Sequence, residues 1–131
     1  MRKEFFLTAI GISLSFLIVA PMVLARPSQR LDSVTQTTRI FSPETIEEGR
    51  ELFKSVCKRC HTNDNAFGAP FLHSESKSSK EWNRIFEKRY PACANDGSWI
   101  KLSAEQIMRI NDFLFMNASD SFNPQSGKDS S

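Results

Sequence analysis

The sequence predicts a small all-α domain of three or more short helices packed around one bound group. Within residues 42–116, three of the serines, Ser42, Ser78 and Ser103, each stand before a run of apolar residues at helical spacing. No segment alternates apolar and polar residues as a strand does. A domain of about 75 residues with three short helices has a poor core, and domains this small usually need a staple or a bound group.

Local capping signals mark the predicted helix starts. The first helix begins at Ser42, with Pro43 at the first helical position. The second begins near Ser78, where Glu81 completes a capping box, and the third begins at Ser103 in the same way. The predicted apolar faces are Ile46, Gly49, Leu52, Phe53 and Val56 in the first helix, Trp82, Ile85 and Phe86 in the second, and Ile107, Ile110, Phe113 and Leu114 in the third.

Three flanking segments are predicted to lie outside the domain. Residues 26–41 and 117–131 are polar, which predicts a flexible lead-in and a polar tail. Residues 1–25 begin with basic residues and then carry no charge from Phe5 to Ala25, as a signal peptide does. This run of about twenty residues is also long enough to anchor the chain in a bilayer. Both interpretations predict export, to a periplasm or a thylakoid lumen.

The net charge and the number of cysteines limit the classes of function that the chain can have. The chain of 131 residues has a formal net charge of +2 and no basic run, so nothing points to nucleic acid as a partner. It has three cysteines, an odd number. Two of them belong to one motif, which leaves Cys93 to be explained separately.

The motif is Cys57-Lys58-Arg59-Cys60-His61, the C-x-x-C-H sequence of haem c attachment. Two thiols three residues apart on a helical turn reach the two vinyl groups of one haem. The adjacent histidine then lies under the iron and binds it. A redox C-x-x-C pair would call for a strand–helix context, which is absent here. A zinc site needs four ligands, and only His73 and Cys93 remain as further soft candidates. The sequence therefore predicts one covalent haem c on Cys57 and Cys60, with His61 as an iron ligand.

With this motif, residues 43–116 resemble the class I c-type cytochromes. Gly49, Phe53 and Cys57 are spaced by fours, as in the amino-terminal helix of that family. The resemblance implies a cytochrome c-like fold in which the glycine allows close crossing by the carboxy-terminal helix. Residues 68–72, Gly-Ala-Pro-Phe-Leu, are similar to the family's Gly-Pro-x-Leu turn. The resemblance therefore implies that the Pro70 carbonyl accepts the second imidazole proton of His61.

The loop before the last helix departs from the family, which places a ligating methionine there. Residues 89–101 contain neither Met nor His, and Cys93 stands nearest to the expected position. Cys93 is thus the leading candidate for the sixth ligand, as a thiolate that would give a low reduction potential. It is otherwise a buried free thiol or half of an intermolecular disulfide. An open site and four weaker candidate ligands remain as alternatives: His73, Asn95, Met108 and Met116.

The predicted function is electron transfer between redox protein partners, not enzymatic catalysis. One alternative is a haem-thiolate site for catalysis or gas sensing, which the position of Cys93 motivates. Another is a structural haem subunit of a photosynthetic or respiratory membrane complex, in which the polar flanks order on a partner.

Overall fold

A computed structural model describes residues 26–121, so residues 1–25, the predicted signal peptide or anchor, and residues 122–131 lie outside the described residues. The elements are β1 (Gln29–Asp32), β2 (Thr37–Ile40), α1 (Pro43–Leu52), α2 (Ser79–Lys88) and α3 (Ala104–Met116). Within 26–121, no helix has the length and apolar content that crossing a membrane requires.

The three predicted helices are confirmed, and their starts follow from local chemistry. Ser42, Ser78 and Ser103 each accept a hydrogen bond from the backbone N–H three residues later. In each case the side chain of that third residue accepts in return from the N–H of the Ser, which closes the capping box. Four backbone N–H groups at a helix start lack helical partners, so these caps fix where the helices begin.

The core forms where α1 and α2 pack against α3. A Cβ atom on Gly49 would overlap the carbonyl oxygen of Arg109 and lie 2.9 Å from Cβ of Phe113. One helical turn later, the rings of Phe53 and Phe113 have centroids 5.8 Å apart. The close crossing that the resemblance implied for Gly49 is thus present, and it joins the helix before the cysteines to the last helix.

The all-α prediction, a cytochrome c-like fold built of helices alone, is wrong. β1 and β2 form a two-stranded antiparallel sheet in which Gln29 lies opposite Ile40 and Leu31 opposite Thr38. The described residues therefore form a small mixed domain of three α-helices and one β-hairpin. The hairpin lies in residues 26–41, the segment whose polar composition predicted a flexible lead-in.

Ion pairs hold the hairpin on α3 and explain why its strands were not recognised. Nε of Arg30 lies 2.6 Å from Oδ1 of Asp112, and both side chains are 2% exposed. Nη2 of Arg39 lies 2.7 Å from Oδ2 of Asp112 and 2.8 Å from Oε1 of Glu105. The inner face of the hairpin is thus charged, so the apolar alternation that usually marks a strand is missing.

The hairpin contact is expected to weaken in acid. The hydrogen bonds from Arg39 lower the pKa of Glu105 below its ordinary value of 4.5. The pair therefore contributes fully above pH 4.5, and its contribution is lost as the pH falls through the lowered folded-state pKa. Glu105→Gln should unfold at lower urea than the parent chain near about pH 6, and the difference between the two midpoints should shrink as the pH falls below 4.5. A constant difference across this range would contradict the assignment.

The first residues of the predicted polar tail are attached to the domain. Asn117 and Ala118 are buried, and the N–H of Ser119 donates to the carbonyl of Lys77 over 3.0 Å. The carboxylate of Asp120 accepts from both the N–H and the hydroxyl of Ser79, each at 2.8 Å. Residues 117–121 thus cover the start of α2, a role that their polar composition does not reveal.

Candidate functional site

The C-x-x-C-H motif follows a widened helical turn. α1 continues into one π-helical turn, Phe53–Cys57, which is closed by the N–H of Lys58 donating to the carbonyl of Phe53 over 3.0 Å. The N–H groups of Cys60 and His61 then donate to the carbonyl of Cys57 over 3.2 and 3.0 Å. The motif is therefore wound as one compact turn at the end of the helix.

Both motif cysteines and His61 line a cavity of about 430 Å³ between the helices. Cys93 lines the same cavity and lies in a short 3-10 turn, Ala92–Ala94, between α2 and α3. The structure thus brings together all three cysteines and the predicted axial histidine. Most of the remaining wall is apolar and includes Phe53, Val56, Leu72, Ile85, Phe86 and Leu114.

The ring of His61 is held by the contact that the resemblance implied. Its Nδ1 lies 2.6 Å from the carbonyl oxygen of Pro70. A carbonyl oxygen only accepts hydrogen bonds, so Nδ1 must carry the proton. In the neutral ring the lone pair is then on Nε2, the nitrogen available to a metal. The contact is present, whereas the iron-binding role of His61 stays a prediction.

Asn65 organises the loop that brings Pro70 to His61. Its amide nitrogen donates to the carbonyls of Thr62 and Ala69, each over 2.8 Å. Its side-chain oxygen accepts from the N–H of Phe67 at 3.1 Å and from that of Ala69 at 3.0 Å. One side chain therefore ties the residue after His61 to the residue before Pro70. We did not predict this role, although Asn is a typical turn former of this kind.

Lys58, a variable position of the motif, secures the same loop from the helix side. Its Nζ donates to the carbonyl of Leu72 over 3.1 Å and lies 4.3 Å from the centroid of the Phe71 ring. The N–H of Leu72 also donates to the carbonyl of His61 over 3.3 Å. The loop is therefore closed at its base as well as braced inside.

Burial controls the protonation of the thiols. Burial, together with the nearby Cys93 and Cys60, raises the pKa of Cys57 to about 12. Burial also raises the pKa of Cys93, and the negative charge of Asp96 acts in the same direction. Both groups are therefore protonated thiols at neutral pH unless a metal or a covalent bond takes the proton's place.

None of the weaker ligand candidates lines the cavity. His73 packs edge-on against Phe71, with ring centroids 4.3 Å apart. The side chain of Asn95 donates to the carbonyls of Arg89 and Pro91. Met108 Sδ lies 3.7 Å from Nη2 of Arg30. Of the five candidate sixth ligands, Cys93 is the one that lines the cavity.

Aromatic side chains form the wall of the cavity on the side of α2. Trp82 is buried, and its Nε1–H donates to the carbonyl of Ser74 over 2.7 Å. Trp99 stacks on Phe86 with ring centroids 5.2 Å apart, and Tyr90 is exposed beside them. The indole of Trp82 already has a hydrogen-bond acceptor in the protein. Trp82 therefore contributes its apolar ring to the cavity wall, and its N–H is already used within the protein.

These residues fit a haem c. The cavity lies within the range of about 300–1,000 Å³ typical of cofactor pockets, and it is mainly apolar as a macrocycle requires. Its polar lining includes two thiols at the C-x-x-C spacing and an imidazole whose Nδ1 is held by the Pro70 carbonyl. Within 26–121, no group of three or more His, Cys, Asp and Glu side chains is arranged to hold a metal ion by itself.

No family model, no curated protein and no solved structure matches this chain.

Proposed function

We propose that this chain is an exported monohaem c-type cytochrome that passes electrons between redox protein partners. The observation that carries the proposal is the position of Cys57, Cys60 and His61 on one apolar cavity, with Nδ1 of His61 held by Pro70. A redox thiol pair or a chance motif explains neither the apolar cavity nor the oriented imidazole.

Each part of the site has a separate task. The thiols of Cys57 and Cys60 would add across the two vinyl groups of the haem, each S–H adding to one double bond, so no oxidant is consumed. His61 would bind through Nε2, and the Pro70 carbonyl would keep the ring in that tautomer. When bound, the haem supplies a one-electron Fe(III)/Fe(II) couple. The apolar wall would exclude water from the iron and so restrict the site to electron exchange.

The rim of the cavity offers a route to a partner. Phe71 and Tyr90 line the cavity and are also exposed. A partner that contacts this rim would therefore come close to the edge of the bound group, with no substrate channel required. The formal net charge of +2 gives weak long-range steering, so docking would depend on local contacts at the rim.

Covalent attachment is the direct test. Expressed in cells that mature c-type haem, the full chain should keep haem after denaturation, when a non-covalent haem would be lost. Replacing Cys57 and Cys60 together with Ser should abolish this retention. Cys93→Ser is the matched control, because it removes the third thiol of the same cavity and should leave covalent attachment intact. Retention of haem by the Cys57/Cys60 double variant, or no haem on the parent chain, would overturn the proposal.

The same control variant tests the sixth ligand. We propose that Cys93 binds iron opposite His61, because it is the candidate that lines the cavity. Cys93→Ser should then raise the reduction potential or convert the ferric iron to high spin, because an anionic sulfur donor stabilises Fe(III). An unchanged ferric spectrum and an unchanged potential would show that Cys93 is a partly buried thiol without a ligand role.

Asn65→Ala is expected to change the potential without removing haem. Loss of four hydrogen bonds frees the Pro70 carbonyl to move away from Nδ1 of His61. The imidazole then becomes a weaker donor, and the potential should rise. Asn83→Ala is the control, since it removes one hydrogen bond between α2 and α3 and leaves the loop untouched. Equal potentials for the two variants would contradict a positioning role for Asn65.

A further inference from the structure

The β-hairpin turns its charged face inward and its apolar residues outward. Counted over the whole residue, Arg30 and Asp32 are 4% and 2% exposed, whereas Leu31 and Ile40 are 56% and 77% exposed. In the register of the sheet, Leu31 faces Thr38 and Gln29 faces Ile40, so these four residues share the outer face. An antiparallel sheet with one solvated face normally has the opposite arrangement.

The ion pairs between the hairpin and α3 determine which face of the hairpin is turned inward. A slip of one residue would bring the apolar side chains inward, but it would also pull Arg30 and Arg39 away from Asp112. The ion pairs therefore hold the apolar residues outward. An outer face that carries Leu31 and Ile40, and that the fold keeps exposed, calls for an apolar occupant.

The chain that precedes the hairpin indicates what covers this outer face. The carbonyl of Ser28 accepts from the N–H of Phe41 over 2.9 Å, so the paired structure begins one residue before β1. Arg26 and Pro27 are half-buried on the domain. The sequence from Phe5 to Ala25 has no charged residue and is long enough to cross a bilayer. Three residues separate it from β1, and they reach at most about 11 Å when extended.

We propose that the chain keeps residues 1–25 as an anchor and that the outer face of the hairpin, with Leu31 and Ile40, rests on the lipid bilayer. A linker this short holds the hairpin at the membrane surface. Ile40 lies opposite Gln29, the first residue of β1, so it is close to the point where the chain leaves the domain. The apolar side chains would enter the interfacial layer, and the hairpin would fix how the domain faces the membrane.

Site-specific photo-crosslinking tests this contact in the full chain. Benzoylphenylalanine replaces Ile40 in protein reconstituted into vesicles of phosphatidylethanolamine and phosphatidylglycerol. The same probe at Phe67, an exposed residue of the loop after His61, is the matched control. We expect adducts with lipid at position 40, several-fold above those at position 67. Both side chains are exposed, so the probe should leave the fold intact at either position.

Other outcomes overturn the proposal. Adducts at position 40 with a second copy of the chain, or with a co-purified protein, would make the outer face a protein interface. Equal lipid labelling at positions 40 and 67 would show no preferred orientation. A mature chain that begins at Arg26 by mass spectrometry would remove the anchor and with it the bilayer contact. Covalent haem is measured on the same samples, so a failure of haem attachment is scored separately.

Discussion

Replacing Asp112 with Asn is expected to lower the free energy of unfolding by about 3–5 kcal/mol, the range for breaking a buried ion pair from one side. The carboxylate is 2% exposed and pairs with both Arg30 and Arg39. Its loss leaves the guanidinium of Arg30 buried beside a neutral amide. Urea unfolding of the full chain, followed by far-UV circular dichroism, measures the effect.

Two control variants separate the buried charge from the rest of the network. Glu105→Gln removes a half-exposed partner of Arg39 and should cost at most about 1 kcal/mol. The double variant Arg30→Met/Asp112→Leu should recover most of the stability, because apolar residues of similar size can replace a buried pair. If Asp112→Asn were no more costly than Glu105→Gln, the ion pairs would not be what attaches the hairpin to α3.

Gly49→Ala is expected to destabilise the domain by about 1–3 kcal/mol, the usual cost of overpacking. The added Cβ would meet the backbone of Arg109, which cannot move aside as a flexible side chain can. This cost opposes helix propensity, which favours Ala over Gly by about 1 kcal/mol. The sign of the change in unfolding free energy therefore decides between close helix crossing and an ordinary exposed helix position.

The matched control for Gly49 lies in the same helix. Glu51→Ala alters an exposed side chain that pairs with Arg50, so its effect should be within about 0.5 kcal/mol. A more stable Gly49→Ala protein would mean that α1 and α3 do not touch at this point. A less stable one, with Glu51→Ala unchanged, supports the crossing.

The helices could be predicted from the sequence because their signals are local. Ser42, Ser78 and Ser103 cap their helices through bonds to residues three positions away. The hairpin could not be predicted, because its attachment depends on Arg30 and Asp112, which are 82 positions apart. Neither strand has an inward apolar pattern, and no local rule predicts that a buried Asp will face it from another element.

The same distinction applies to the site. The C-x-x-C-H motif and Pro70 are recognisable because they lie within a few residues of His61. Cys93 and the motif line one cavity because of tertiary packing. The position of Cys93 in the loop before the last helix indicated this only in part. Asn65 was missed because its importance comes from joining Thr62 to Ala69, and neither residue has a recognisable role alone.

The π-helical turn between Gly49 and Cys57 has a consequence for changes in chain length. Gly49 must face Arg109, while Cys57, which ends that turn, must face the cavity. In a regular α-helix, each residue added or removed rotates the later residues by about 100°. The wide turn accommodates one extra residue, so Gly49 can face Arg109 and Cys57 can face the cavity although both lie on one continuous helix. A one-residue deletion at Ser55 would therefore convert the wide turn to a regular α-helical turn and keep both the helix crossing and the direction of the Cys57 thiol, whereas a second deletion would rotate the thiol by about 100°.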